Sequence, residues 1–254
     1  MKTTLDEITV NTLEEFLDAY NQGYYIGNIK YYFDEKELFD YFDKNKNNSA
    51  DDMYVYANLL LHGVGTEIDH KNAMIYAKKA ADYGNHHAMN TVGYMYSTGT
   101  GVERDDNIAF EYFKRAAENG DANGYYNLGI YYFNGYCVDT DIDKALEMYQ
   151  KAEELGQMDS IVGQADIYYD KKEYDKAFSL YEKAANLNIE DSYLRYAYML
   201  SQKRLGHLDY KKAAQIYQKL IDFNGNIGAL NNLAIMYEKG QGVTEDRKKH
   251  SSYI

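Results

Sequence analysis

Along most of the chain, apolar residues return at intervals of three and four, the spacing of one face of a helix. Stretches with this spacing come in pairs, and the first of each pair ends in a short glycine-bearing run such as "TGTGVERD" (98–105). Five stretches can be set in one register: "KNAMIYAKKAADYG" (71–84), "NIAFEYFKRAAENG" (107–120), "DKALEMYQKAEELG" (143–156), "DKAFSLYEKAANLN" (175–188) and "YKKAAQIYQKL" (210–220). They share an alanine column, Ala73, Ala109, Ala145, Ala177 and Ala213, spaced 36, 36, 32 and 36 residues apart. A period in this range signals stacked helix pairs.

Each column has a job that elementary helix chemistry supplies. Seven residues on stand Ala80, Ala116, Ala152, Ala184 and Leu220, two turns along the same face. Eleven residues on stand Gly84, Gly120, Gly156 and Asn188, with Gly225 one position later in the last full unit; these types tolerate the left-handed backbone that ends a helix. Four residues before the alanine stand Asp69, Asp105, Asp141, Glu173 and Asp209, and the position recurs at Asp246. Carboxylates there are expected to accept from free first-turn amides as N-caps. A column repeating once per unit serves each unit's own fold, so these acids are not read as paired catalytic carboxylates.

The partner stretch carries a second column of small residues: Ala57, Gly93, Gly129, Ala165, Ala197 and Ala234. Met53, Met89, Tyr125, Ile161, Tyr193 and Leu230 lie four before it, and Leu60, Tyr96, Tyr132, Tyr168, Leu200 and Tyr237 three after, making one apolar stripe. Each unit is therefore a helix A, a loop and a helix B. The loops "HGVGTEID", "TGTGVERD", "NGYCVDTD" and "KGQGVTED" occupy one position, and Gly63, Gly99, Gly135 and Gly240 are expected to take positive φ after helix A. Val102, Val138 and Val243 are expected to tuck beneath the pair. The loops are not phosphate cradles, since Val102 and Glu103 follow Gly101 where Lys and Ser or Thr would be needed. The unit around "YYDKKEYDKAF" (168–178) lacks four loop residues and all loop glycine, which predicts a tighter turn.

Composition sharpens this picture. Among 254 residues there is no proline and no tryptophan but 30 tyrosines, and the absence of proline removes the strongest helix breaker. The expected fold class is all-α, a right-handed α-α superhelix of stacked antiparallel helix pairs. Lys plus Arg number 27 against 40 Asp plus Glu, and the net charge of -13 disfavours nucleic acid and anionic lipid while suiting a basic partner. No apolar run is long enough to span a bilayer, and "MKTTLDEITVNTLEEFL" carries acids where a signal peptide needs an apolar stretch, so a cytoplasmic protein is expected. Cys137 is the one cysteine, which rules out an internal disulfide or a cysteine–zinc framework.

Residues 1–49 follow the pattern loosely. "TLEEFLDAYNQGYYIG" (12–27) has a Tyr-x-x-Gly spacing at Tyr20 and Gly23, and "YYFDEKELFDYF" (31–42) reads as a second helix. The expectation is a degenerate N-terminal capping pair over 1–49, with "DKNKNNSADD" (43–52) as an exposed linker. Residues 50–254 would then form units at 50–85, 86–121, 122–157, 158–188, 189–226 and a partial 227–254.

The run Tyr-x-x-Gly-x-Gly-Val, then Asp-x-x-Lys-Ala and a small-residue helix ending in Gly, resembles the Sel-1-like repeat family within the tetratricopeptide-like helical repeats. The resemblance covers residues 50 to about 243. The 158–188 unit is similar to a plain tetratricopeptide repeat, and the last unit departs from the pattern by placing His250 where alanine is expected; Ile227 to Glu238 is expected to be the terminal cap. The resemblance implies an adaptor or scaffold, as in protein-degradation and signalling assemblies, that binds a protein or peptide in a concave groove lined by the A helices. It brings no reaction, cofactor or metal.

Carried onto this sequence, the family's geometry places in that groove Tyr54, Asn58 and Leu61; Asn90, Tyr94 and Ser97; and Tyr126, Ile130 and Phe133. It continues with Val162, Asp166 and Tyr169; Leu194, Tyr198 and Ser201; and Asn231, Ile235 and Glu238, with Asn127, Arg195 and Asn232 beside them. Tyrosine suits an interface because a large apolar ring carries a polar tip, and asparagine can pair with an extended backbone. The same tyrosines, Tyr96 and Tyr132 above all, also serve as core filling. His86 and His87 are neighbours expected to point to different sides of helix A, which argues against a shared metal. Two other functions stay open beside the adaptor: an acidic inhibitor or immunity protein blocking a basic enzyme, and a hydrolase. The hydrolase reading comes from cysteine-rich relatives linked to penicillin binding, which carry disulfides in each repeat where this chain has one cysteine.

Overall fold

The computed structural model describes residues 8–21, 29–31 and 34–243. Its contacts fall into two compact units dividing between Gln157 and Met158. The first holds β1 (Ile8–Val10), α1 (Leu13–Asn21), β2 (Ile29–Tyr31), α2 (Glu35–Asn45), α3 (Ala50–His62), α4 (His70–Asp82), α5 (His86–Thr98), α6 (Asp106–Glu118), α7 (Ala122–Asn134) and α8 (Ile142–Glu154). The second holds α9 (Ser160–Asp170), α10 (Tyr174–Asn186), α11 (Glu190–Ser201), a 3-10 turn (Lys203–Leu205), α12 (Tyr210–Asn224) and α13 (Ile227–Lys239). Apart from the β1–β2 pair, the protein is an all-α repeat structure, with A helices α3, α5, α7, α9, α11 and α13 alternating with B helices.

The small column on the A helices is explained by what faces it. A Cβ at Gly93 would lie 2.7 Å from the ring of Phe113, and one at Gly129 would lie 2.6 Å from the ring of Tyr149. Those rings belong to a buried B-helix column that continues at Tyr181 and Tyr217, each at most 4% exposed. Small residues on one helix thus make room for a ring from its partner, and a fully buried ring of this size contributes about 2–3 kcal/mol of apolar burial.

The loop glycines divide into two functions. Gly63, Gly99, Gly135 and Gly240 take positive φ as C-caps of their A helices, as expected. The second glycine does something else. Gly101, at φ 70°, packs so closely on the first residue of α4 that a Cβ would lie 2.4 Å from the carbonyl oxygen of His70. Gly65 meets Glu35 at the start of α2 in the same way, and Gly242 meets Tyr210 at the start of α12. Cys137 stands in this position in the third loop, at φ 53°, and its thiol donates to the Asp106 carbonyl at 3.3 Å. The short connection between α9 and α10 turns through Lys172 at φ 61°.

The cap column forms as expected at Asp69, Asp105, Asp141 and Asp209, each accepting from an amide of its helix's first turn. The Asn72 and Lys144 amides hold the Asp69 and Asp141 carboxyls below their ordinary value. Glu173 departs from the expectation: its longer side chain makes no capping bond and pairs with Lys176 at 2.6 Å instead. Asp246 and His250 lie outside the described residues, as does Gly23.

The N-terminal region differs from a plain helix pair. β1 and β2 pair in parallel, Ile8 with Ile29 and Val10 with Tyr31, so that α1 is the crossover of a minimal βαβ element. The β-branched run Ile8-Thr9-Val10 carries this signal, and Val10, Phe16, Leu38 and Phe42 join the core of the first unit. The stretch read as a linker, 43–52, is mostly helix: α2 runs through Asn45, and Ser49 caps α3.

Substituting Gly101→Ala should lower stability by about 2–4 kcal/mol, from left-handed strain plus the clash with His70. Gly120→Ala, also at positive φ but with open space around it, should cost only about 1–2 kcal/mol. Thermal unfolding followed by circular dichroism checks the difference. By the same method Asp105→Ala should cost about 1 kcal/mol and Glu173→Ala less than about 0.5 kcal/mol.

Candidate functional site

The groove residues predicted on the A helices occupy a range of environments. In the first unit Asn127 of α7 donates to the side-chain oxygen of Asn90 on α5 at 2.8 Å, so two expected groove residues join neighbouring A helices directly. Tyr94, one turn beyond Asn90, is 50% exposed. Tyr126 is half-buried with its ring 5.9 Å from that of Tyr149, and Ile130 is half-buried. Asn58 is half-buried and donates to the Tyr54 carbonyl at 3.0 Å. Tyr54 itself is buried, 6% exposed, with its ring stacked 5.8 Å from His87.

In the second unit the structure brings Asp166 and Arg195 together across α9 and α11, at 3.2 Å. Tyr181 donates to the same carboxylate from α10. Burial pushes the Asp166 carboxyl above its ordinary value, and this outweighs the lowering by the Tyr181 hydroxyl and the Arg195 charge. Tyr169 packs edge-on against Tyr174 at 5.5 Å. Tyr198 is half-buried, its carbonyl accepting from Ser201, while Asn231 is exposed and Asn232 half-buried on α13.

A second arrangement, at the ends of the units, was not anticipated. Asn85 caps α5 by accepting from the Ala88 amide and also donates back to Asp51 at the start of α3, at 2.6 Å. Gln157 donates to Asn123 at 2.7 Å, and Asn224 to Glu190 at 2.6 Å. In each case a residue 34 positions on reaches back to the first turn of its unit's A helix. The spacing is visible in the sequence, but the varied residue types hide it.

In the unit 86–121 this clip is made of histidine and aspartate. Asp121, 1% exposed, caps α7 by accepting from the Gly124 amide on Oδ1 at 2.8 Å, and its Oδ2 faces Nδ1 of His87 at 2.7 Å and Nδ1 of His86 at 3.1 Å. The imidazole centroids are 4.0 Å apart. The expectation that the two histidines point to different sides of the helix is therefore wrong. They are the first two residues of α5, where side chains lean toward the helix N-terminus and both reach the same carboxylate. Burial alone would raise the Asp121 carboxyl, but hydrogen bonds from His86 and His87, the His87 charge and the Gly124 amide bring it down to about 2.

Cys137 shows no sign of activation: burial, then Asp106, Asp105 and Glu111, hold its thiol above the ordinary value. Among the described residues no helix is long and apolar enough to cross a membrane.

Paired helices repeating through both units, with glycine-turned loops between several of them, define a helical repeat protein. The model of the Sel1 repeat matches residues 50–85, 86–121, 122–157, 167–189 and 227–249, more than half of the chain, and the protein belongs to the Sel1 repeat family. Among solved structures it is similar to a Sel1 repeat protein from Oxalobacter formigenes, 26% identical with a TM-score of 0.78, covering 95% of this chain and 97% of that one. It is also similar in fold to a protective antigen of uropathogenic Escherichia coli displaying an SLR fold, 22% identical with a TM-score of 0.80, covering 94% of this chain but 54% of that one. An immunity protein from Pseudomonas aeruginosa, 19% identical with a TM-score of 0.53, shares the fold over 82% of this chain and 79% of its own. No curated protein sequence matches the chain. The Sel1 repeat fold is typical of protein–protein interaction scaffolds, which are generally non-catalytic.

Removing the cation from the second-unit pair gives a direct check on its electrostatics. Arg195→Ala should raise the Asp166 pKa further, read by NMR titration of the carboxyl, and destabilise by about 1 kcal/mol, since the arginine is half exposed. Stability of the variant should then improve on acidification through the Asp166 pKa, because a carboxyl raised in the folded state binds its proton more readily than in the unfolded chain.

Proposed function

We propose that the protein is a cytoplasmic, non-catalytic scaffold that holds a protein or peptide partner on the A-helix face of its repeats, 50–254, with residues 1–49 capping the array. The observation that carries this reading is the pairing of Asn127 with Asn90 across α5 and α7, next to the exposed ring of Tyr94. Two A helices of the first unit joined in this way set a short row of amide groups beside an aromatic ring. Such a row offers hydrogen bonds to an extended backbone and apolar area to its side chains. Tyr126, Ile130 and Asn58 belong to the same face in the first unit; in the second unit Tyr169, Tyr198, Asn231 and Asn232 offer the same kinds of group, and Asp166 with Arg195 adds a charged pair. Tyr54, buried against His87, contributes packing instead of exposed surface.

The net charge of -13 favours a basic partner, and it supports a second reading, an acidic inhibitor or immunity protein that blocks a basic enzyme or toxin. The immunity protein of similar fold is consistent with that role.

The test is affinity capture from native extract with wild type and a Tyr94→Ala, Tyr126→Ala, Tyr198→Ala variant whose helical circular dichroism is intact. A partner retained by wild type should bind the variant at least about tenfold more weakly, the loss expected for an aromatic hot spot. Equal retention by both would move binding off this face and overturn the proposal. A partner whose affinity falls steeply with salt, and whose own activity is blocked on binding, would select the inhibitor reading.

A further inference from the structure

We propose that His86, His87 and Asp121 form a binding site for a divalent transition-metal ion of the zinc kind, with one ring nitrogen from each imidazole and a carboxylate oxygen as ligands and water completing the coordination. The candidate donor atoms of the three residues all lie within 4.8 Å of one another. A tetrahedral ion with bonds of about 2.0–2.1 Å separates its ligand atoms by about 3.3 Å. The His86 contact with Oδ2, at 3.1 Å, is already close to that edge, and the His87 contact, at 2.7 Å, needs to open by little more than half an ångström.

The site is held from several sides. Asp121 is buried and fixed by the Gly124 amide on Oδ1, which leaves Oδ2 aimed at the imidazoles. His87 is braced by the ring of Tyr54, and both histidines keep part of their surface open to solvent, 21% for His86 and 27% for His87. Two nitrogens and one oxygen suit zinc, cobalt or nickel and are a poor set for calcium or magnesium, which take oxygen ligands.

The competing explanation is that the cluster only clips the unit together, as Asn85 with Asp51 and Gln157 with Asn123 do in the neighbouring units. His86 argues against it. At the equivalent positions stand Ala50 and Ala122, so the fold closes the clip without a third side chain. Only in the unit 86–121 do all three positions hold metal-ligating groups, in place of Ala50, Asp51 and Asn85 in one neighbour and Ala122, Asn123 and Gln157 in the other.

Cobalt(II), whose visible absorption reports ligand geometry, is the probe. Full-length chain free of any affinity tag is treated with chelator, dialysed, and titrated with cobalt chloride by absorption and calorimetry. Wild type should bind one ion per chain with bands of a low-coordinate nitrogen–oxygen site, and zinc chloride should displace it. His86→Ala should weaken binding at least about tenfold, with only a small fall in the melting temperature without metal because His87 and the Gly124 amide still hold Asp121. Asp121→Asn, which keeps a capping oxygen as Asn85 does, should weaken it similarly. His207→Ala, remote in sequence and in the other unit, should bind as wild type does. Absence of saturable binding by wild type, undiminished affinity in His86→Ala, or an equal loss in His207→Ala would each overturn the proposal.

Discussion

The architecture depends on one steric exchange: a helix with almost no side chain at one position receives the ring of its partner. Gly93 accepts Phe113 and Gly129 accepts Tyr149. Either ring would otherwise have to leave the interface, and with it the largest single apolar contribution in that pair. The remaining alanine columns follow, because close helix approach at the ring position brings the neighbouring positions into contact as well. Ala109, Ala116, Ala145 and Ala152 are accordingly fully buried.

Much of this was legible from the sequence because it repeats. The alanine, cap and C-terminal glycine columns each state a local rule several times, and the structure honours them at Asp69, Asp105, Asp141 and Asp209 and at Gly63, Gly99, Gly135 and Gly240. Glu173 fell outside the rule because one extra methylene carries its carboxylate past the amides. The parallel strands escaped notice because three residues are too few for a period, and their partner segments are separated by a helix.

The candidate groove was less legible. Position in a repeat predicts which helix face a residue occupies, but whether its ring stays exposed is set by neighbours a whole unit away. Tyr54 and Tyr94 stand one turn apart in the repeat register on successive A helices, yet Tyr94 is half exposed while Tyr54 is covered by His87. The histidine cluster was missed for a related reason: helical-wheel reasoning separates adjacent residues by 100°, and it does not hold for the first turn, where both side chains lean past the helix end. The signal that could have found it is the 34-residue spacing from His87 to Asp121, shared with Asp51 and Asn85.

Two of the contacts that recur along the repeats differ in their chemistry. The clip that joins Asp51 to Asn85, His87 to Asp121 and Asn123 to Gln157 has both halves inside one 36-residue unit. The packing of Gly65 on Glu35 and of Gly101 on His70 reaches instead into the preceding helix, and it uses a bare α-carbon against a peptide carbonyl. A partner of any side-chain type supplies that carbonyl. At this loop contact a unit copied along the chain meets its new neighbour through backbone, whereas Asn127 with Asn90 and Asp166 with Arg195 join neighbouring units through side chains. Individual units are free to acquire distinct polar constellations in their clips without altering that loop contact.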